Sequence, residues 1–122
     1  MTNKATKIAI VEDDELSRQL IVNTFLSLTE MDVSPYENGQ TAWTDLGNGH
    51  CADIVISDVN MPKMDGLTLL GKIKKKTPET SCIIISGNPS YKSSAKDLGA
   101  DYFLAKPFSI TELLKVIQEF MR

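Results

Sequence analysis

The sequence predicts an α/β fold in which five parallel strands form one doubly wound sheet in the order 2-1-3-4-5. Three observations lead there. Five short apolar, β-branched runs alternate with five segments of helical periodicity, which implies right-handed βαβ crossovers and helices on both faces of one sheet. No repeat, linker or low-complexity tract interrupts the 122 residues, a length that suits one domain with a real core. The apolar runs end abruptly in carboxylates or turn residues, as buried parallel strands do where they deliver chemistry at their carboxyl ends. In the order 2-1-3-4-5 a crevice opens between the ends of the first and third strands.

Lys7 to Val11 (KIAIV) is the first strand and stops at Glu12-Asp13-Asp14, with Asp14 placed to cap the next segment. Across Glu15 to Leu28, Ile21, Phe25 and Leu28 recur at i, i+4 and i+7 with Leu16 and Leu20 nearby, a helix with one buried face. Asp32 to Tyr36 is a weaker strand whose internal Pro35 places it at a sheet edge or at the strand's end. Asn38 caps a short helix that runs through Leu46 and stops in the Gly47-Asn48-Gly49 turn. Ile54 to Ser57 is the third strand, with Asp58 at its tip and a loop through Pro62 to Gly66. A helix follows from about Leu67 to Lys76, with Leu67, Leu70 and Ile73 on one face and Pro78 beyond its end. Ser81 to Ser86 (SCIIIS) is the fourth strand, and Tyr91, Ala95 and Leu98 mark a fourth helix that stops at Gly99. Tyr102 to Ala105 is the fifth strand, followed by Lys106-Pro107. Ser109 with Glu112 three residues on forms a capping-box pattern for the last helix, whose stripe is Ile110, Leu113, Leu114, Ile117, Phe120 and Met121.

The net charge of -3, with no basic block beyond Lys72, Lys74, Lys75 and Lys76, argues against direct nucleic-acid binding. That run reads as a solvated helix end whose cations complement the macrodipole. No apolar stretch approaches the length of a membrane span, and the N-terminal MTNKATK lacks the apolar core of a signal, so no membrane association and a cytoplasmic location are expected. Cys51 and Cys82 fit neither a metal-ligand spacing nor a disulfide framework and read as free thiols, Cys82 within an apolar run. His50 is the only histidine, which disfavours a histidine base or a multi-histidine metal site.

The predicted topology brings Glu12 and Asp13 from the first strand next to Asp58 from the third. Carboxylates at this density repel one another unless cations are supplied, and hard oxygens suit Mg²⁺. Lys106 at the end of the fifth strand is a second cation, and Ser86 at the end of the fourth offers a hydroxyl at the same edge. Each has a structural explanation on its own: Asp58 as a turn cap, Glu12 or Asp14 as a helix cap, Ser86 as a turn residue, and Lys106 as a surface lysine before a helix-initiating proline. One functional group at each of four strand ends is much harder to explain by capping. Together they are the parts needed to hold Mg²⁺ and a phosphoryl group.

These residues resemble the receiver domain of two-component response regulators, and the resemblance covers essentially the whole chain. It rests on IAIVEDD at the first strand, DIVISDVNMPKMDG at the third, IIISG at the fourth and GADYFLAKPF at the fifth. It implies a flavodoxin-like (βα)5 fold. It also implies that Glu12 and Asp13 are the acidic pair, Asp58 the phosphoacceptor, Ser86 the hydroxyl position, Lys106 the lysine and Phe103 the switch aromatic. The family's metal takes a further ligand from the backbone carbonyl two residues after the acceptor, here Asn60, with Asp13 the principal carboxylate and Glu12 acting mostly through water. Asp58 would take a phosphoryl group from a phosphohistidine on a sensor histidine kinase or phosphotransfer protein, with Mg²⁺ as cofactor, and later lose it to water. The roughly two added charges would draw Ser86 inward, turn Phe103 and alter the surface of the fourth helix, fifth strand and fifth helix. A second copy docking there after phosphorylation is allowed on family grounds, and no residue secures it. The family commonly has a cis Lys-Pro peptide at Lys106-Pro107.

Ser86 stands where Thr is commoner, Gly87 where Ala is usual, and Phe103 where Tyr is frequent; none removes a charge needed for phosphoryl transfer. Asn60 and Asn88 flank the phosphoryl site in the family's geometry, where they influence how water attacks or serve only as turn residues. Two other readings stand beside the receiver. An aspartyl phosphatase of the D-x-D kind would need an acid where Asn60 stands, and Asn60 cannot donate and recover a proton. A constitutive binding module would not need Glu12, Asp13, Asp58, Ser86 and Lys106 together. The chain, 1-122, is expected to be a single receiver domain with no room for an output domain after Met121-Arg122, either a single-domain regulator or a piece of a longer protein, its output partner unknown.

Overall fold

A computed structural model describes residues 5–121. The elements alternate as predicted: β1 (Lys7–Val11), α1 (Glu15–Leu28), β2 (Asp32–Tyr36), α2 (Gly39–Leu46), β3 (Ile54–Asp58), α3 (Gly66–Lys76), β4 (Ser81–Ser86), α4 (Tyr91–Asp97), β5 (Tyr102–Ala105) and α5 (Ile110–Glu119). All pairings are parallel, and the sheet order is β2-β1-β3-β4-β5. Pro35 lies in β2, an edge strand, where its missing N–H costs no ladder bond. Among the described residues no helix is long and apolar enough to cross a membrane.

Alternation along the central strands splits the core into two layers. Ile8, Ile10, Ile54, Ile56, Ile83 and Ile85 face α1 and α5, where Ile21, Phe25, Leu113, Val116 and Ile117 meet them. Ala9, Val11, Val55, Cys82 and Ile84 face the other way, onto Ala42 and Leu46 of α2, Leu69, Leu70 and Ile73 of α3 and Ala95 of α4. Each fully buried isoleucine contributes about 1.5–3 kcal/mol of transfer free energy, so β1, β3 and β4 form a stiff platform. Whatever extends from their carboxyl ends is held by that platform.

Four capping expectations hold. Asp14, Asn38 and Ser109 accept backbone N–H bonds from Ser17, Thr41 and Glu112, and the Ser109–Glu112 capping box closes in both directions. The α3 cap is Asp65, which accepts from Thr68, so that helix starts at Gly66 rather than Leu67. Gly47 caps α2 in a right-handed conformation, and Gly49 in the turn beyond it and Gly99 after α4 take φ of 94° and 99°.

Three packing expectations need correction. In α1 Ile21 and Phe25 are buried as expected, whereas Leu16, Leu20 and Leu28 are 78%, 59% and 64% exposed. Successive helical residues lie about 100° apart, so a stripe through Leu20 cannot coincide with one through Ile21; Leu28 instead borders a groove with Leu114, Ile117 and Met121. Leu98, placed in the α4 stripe, follows the helix and is 41% exposed. The lysine run is not uniformly solvated. Lys74 pairs with Asp101 at 2.8 Å, Lys76 bonds the Gly47 carbonyl, and Lys72 lies over the Trp43 ring at 5.8 Å.

Candidate functional site

The crevice forms where the sheet order reverses. Val11 registers with Ser57, Asp58 with Ile85 and Ser86 with Ala105, so Glu12, Asp58, Ser86 and Lys106 emerge at one edge. Two ladder bonds beyond the strand ends fix their backbone: Glu12 N–H donates to the Tyr36 carbonyl at 3.1 Å, and Lys106 N–H donates to the Ser86 carbonyl at 2.9 Å.

Asp58 is 9% exposed and held at both oxygens. Its Oδ1 accepts the Val59 N–H at 2.7 Å, and its Oδ2 accepts the Lys106 ammonium at 2.9 Å. The Lys106 ammonium also donates to Glu12 Oε1 at 3.3 Å. Glu12 is 1% exposed; its Oε2 accepts the Asp14 N–H at 3.2 Å, and its carbonyl accepts from Arg18 Nη1 at 2.8 Å. Asp13 is exposed, and oxygens of Glu12, Asp13 and Asp58 lie within 4.8 Å of one another.

Burial raises the Glu12 carboxyl above the usual range; the Asp14 N–H opposes that shift, and the Asp58 charge adds to it. For Lys106 burial alone would lower the ammonium. The hydrogen bond to Asp58 and the charges of Asp58 and Glu12 more than reverse this, and the group titrates above the ordinary lysine range. Three carboxylates against one ammonium leave two negative charges, which a divalent cation balances. The donors are hard oxygens, one of them freely exposed, as suits Mg²⁺ with several retained waters.

The loop after β3 is shaped by one close approach. The Gly66 N–H donates to the Val59 carbonyl at 2.8 Å, and a Cβ on Gly66 would stand 1.9 Å from the Asp58 carbonyl oxygen. Only glycine fits there. Lys63 in this loop has φ of 69°, the left-handed region that side chains disfavour. Asn60 is exposed, and its Oδ1 accepts from the Tyr91 hydroxyl at 3.4 Å.

Ser86 is 1% exposed, and its Oγ accepts the Asn88 N–H at 3.0 Å; among the described residues it makes no hydrogen bond to Asp58. Phe103 is half-buried against the layer of α2, α3 and α4, while Tyr102 is 39% exposed. The Lys106–Pro107 peptide is cis. Of the residues singled out in the sequence, Glu12, Asp13, Asp58 and Lys106 form one cluster, and Ser86 and Asn60 stand on its rim. Three participants were missed: the Val59 N–H, Arg18 and Tyr91. A backbone donor leaves no mark in a sequence, and the two side chains act across turns that periodicity does not resolve.

The chain matches the family model for the response regulator receiver domain over residues 8–118. It is 30% identical over 117 residues to the chemotaxis protein CheY homolog of Campylobacter jejuni, covering 93% of this chain and 90% of that one. It is also 33% identical over 110 residues to the DNA-binding transcriptional regulator NtrC of Rhizobium meliloti. That match takes in 88% of this chain and 22% of NtrC, so the chain spans less than a quarter of that relative's length. Among solved structures it is similar to the response regulator TrrA of Thermotoga maritima in complex with Mg²⁺-BeF, with a TM-score of 0.86, 27% identity, and coverage of 95% of this chain and 99% of that one. The chemotaxis protein CheY4 of Vibrio cholerae gives a TM-score of 0.86 at 27% identity, with 97% and 100% covered.

Proposed function

Since this chain belongs to the response regulator receiver domain family of two-component systems, we propose that Asp58 accepts a phosphoryl group from a phosphohistidine and thereby switches the surface the domain offers to a partner. The observation that carries this reading is Asp58 at the end of β3, fixed between the Val59 N–H and the Lys106 ammonium, with Glu12 and Asp13 oxygens within 4.8 Å.

A carboxylate oxygen of Asp58 attacks phosphorus in line, the P–N bond to the donor imidazole breaks, and its electron pair returns to the ring, which takes up a proton. The chain's part is positioning and charge. The Val59 N–H and Lys106 fix the rotation of the carboxylate. Lys106 then neutralises phosphoryl oxygens as charge shifts toward Asp58, and the Ser86 hydroxyl donates a hydrogen bond to another of them. Glu12, Asp13, Asp58 and the Asn60 carbonyl are the ligands we assign to Mg²⁺, which when bound supplies a divalent charge that offsets the carboxylates and the phosphoryl oxygens. The relative solved with Mg²⁺-BeF supports that assignment.

The ordered capture of the phosphoryl group by Ser86 would take its Oγ from the Asn88 N–H and pull the loop before α4. Phe103, half-buried beside α4, is the aromatic placed to follow. The changed face is α4, β5 and α5. The phosphodonor, a sensor histidine kinase or phosphotransfer protein, docks at the carboxyl edge of the sheet, where the exposed Leu16 and Leu20 of α1 offer it an apolar ridge next to Asp13. Residues 1–122 act as one phosphoacceptor unit, and the output it controls is a separate domain or partner.

Incubation with a small acyl phosphate and Mg²⁺ tests the reading by mass spectrometry. The expected result is a gain of one phosphoryl group, lost in Asp58→Asn and in the presence of a chelator. An unmodified wild-type protein overturns it.

A further inference from the structure

The loops that follow β3 and β4 are joined beside the crevice by a side-chain contact. Tyr91 at the start of α4 donates its hydroxyl to Asn60 Oδ1, two residues after Asp58, at 3.4 Å. The near side of this bridge is bonded back to Ser86. The Tyr91 N–H donates to the Asn88 carbonyl at 3.2 Å, the Ser90 N–H to Asn88 Oδ1 at 3.0 Å, and the Asn88 N–H to Ser86 Oγ at 3.0 Å. A chain of covalent and hydrogen bonds therefore runs from Asp58 through Asn60, Tyr91 and Asn88 to Ser86. The Tyr91 ring is half-buried against the apolar layer that contains Val59 and Ala95, so the hydroxyl is aimed by packing rather than free to wander.

We infer that Tyr91 is a positioning residue: through Asn60 it holds the β3–α3 and β4–α4 loops together beside Asp58 and lengthens the life of the phosphoryl group there. The inference rests on the phosphoacceptor reading of Asp58. The acyl phosphate is lost when a water oxygen bonds to phosphorus, the P–O bond to the Asp58 carboxylate breaks and a water proton passes to phosphate or solvent. The bridge spans the side of the crevice between β3 and β4, and an Asn60 amide fixed there narrows the approach of that water. Without it the amide swings and the loop before α4 loosens. The contact is long for a hydroxyl donor, so the effect is modest.

The experiment loads the full chain with a small acyl phosphate and Mg²⁺, removes the phosphodonor by rapid desalting into the same Mg²⁺ buffer, and follows decay of the phosphorylated mass in wild type, Tyr91→Phe, Asn60→Ala and the double variant. Tyr91→Phe keeps the ring and its packing. The expected result is a lifetime about three-fold shorter in each single variant, about 0.6 kcal/mol in barrier, with the double variant no shorter than Asn60→Ala. In Tyr91→Phe the thermal midpoint and the uptake rate stay at wild-type values, which separates positioning from a loss of packing. Unchanged decay in Tyr91→Phe, or independent effects that multiply in the double variant, overturns the inference and leaves the phosphoacceptor reading standing. A wild-type chain that takes up no phosphoryl group overturns that reading, and the inference with it.

Discussion

Lys106 and Lys74 carry ammonium groups to aspartates at opposite edges of the same sheet, and the difference between them separates a site from a clamp. Lys74 lies at the amino edge, where β4 and β5 begin. Its ammonium meets Asp101 Oδ2 at 2.8 Å, the Thr80 carbonyl at 2.7 Å and the Pro78 carbonyl at 3.2 Å. All three donors are used, and one positive charge faces one negative. Asp101 passes the constraint on by accepting the Cys82 N–H at 2.7 Å, which ties α3, β4 and the approach to β5 into one knot. At the carboxyl edge Lys106 spends two donors, on Asp58 at 2.9 Å and Glu12 at 3.3 Å, in a cluster that also holds Asp13. Negative charge is in surplus there, and a hydrogen-bond donor remains. The balanced cluster can only hold the fold together. The unbalanced one has capacity for a cation and for an anionic group delivered with it.

Exchanging each lysine for methionine breaks this contrast at its strongest point. Lys106→Met removes a preorganised cation from the reacting oxygens, and phosphoryl uptake is expected to fall about 100-fold, the scale on which single charge-stabilising donors act. Initial rates of mass gain with a small phosphodonor measure it. Lys74→Met leaves two carbonyls and a half-buried carboxylate short of a donor and is expected to cost about 1–3 kcal/mol in urea denaturation, with the uptake rate unchanged. Equal losses of uptake in both variants would erase the distinction between the two edges. Gly66→Ala offers a control on the site's backbone. A Cβ 1.9 Å from the Asp58 carbonyl forces β3 and the loop apart, so stability and uptake fall together.

The two lysines also differ in how far the sequence announced them. Lys106 stands alone at the end of an apolar run, next to a proline, and the alternation of strands and helices carries it to the edge that holds Glu12 and Asp58. Lys74 lies inside a run of lysines at a helix end. Two of its partners are backbone carbonyls and the third is an aspartate distant in the chain, so nothing in the local pattern separates it from Lys75. The same reasoning covers α1. Leucines at helical spacing mark an amphipathic stripe, but which of two adjacent stripes packs on the sheet depends on rotation about the helix axis, and Ile21 and Phe25 took the buried side. Strand ends were legible because a buried run must stop where its polar groups begin. The Val59 N–H and the close approach at Gly66 were not, since both belong to the backbone's path in space.

The smallest effect expected from the contrast lies in how each edge answers alkali, and Cys82 reports it for the clamp. The thiol is 1% exposed, and burial pushes it up to about 12 from 9.0; the Lys74 charge pulls the other way and Asp101 adds to the rise. A thiol favoured as neutral in the folded chain keeps its full contribution below the unfolded value. Above that value the unfolded chain releases its proton first, and stability declines as pH rises toward the folded value. Between pH 8 and pH 9.5 the loss from this group is about 1 kcal/mol by that linkage. Urea midpoints at the two pH values check it, with Cys82→Ala removing this part of the decline while lowering stability at both. Thiol labelling gives the kinetic counterpart: exposed Cys51 reacts at once at pH 8, and Cys82 reacts only as the chain opens. In Lys74→Met the nearest cation is gone, so the thiol rises further, yet the knot around it is looser and Cys82 labels faster than in wild type. Because labelling passes through the opened chain, where the thiol has its unfolded acidity, faster labelling in Lys74→Met reports the loosened knot and not the changed charge around Cys82, and an unchanged rate would show that the knot does not keep the chain closed there.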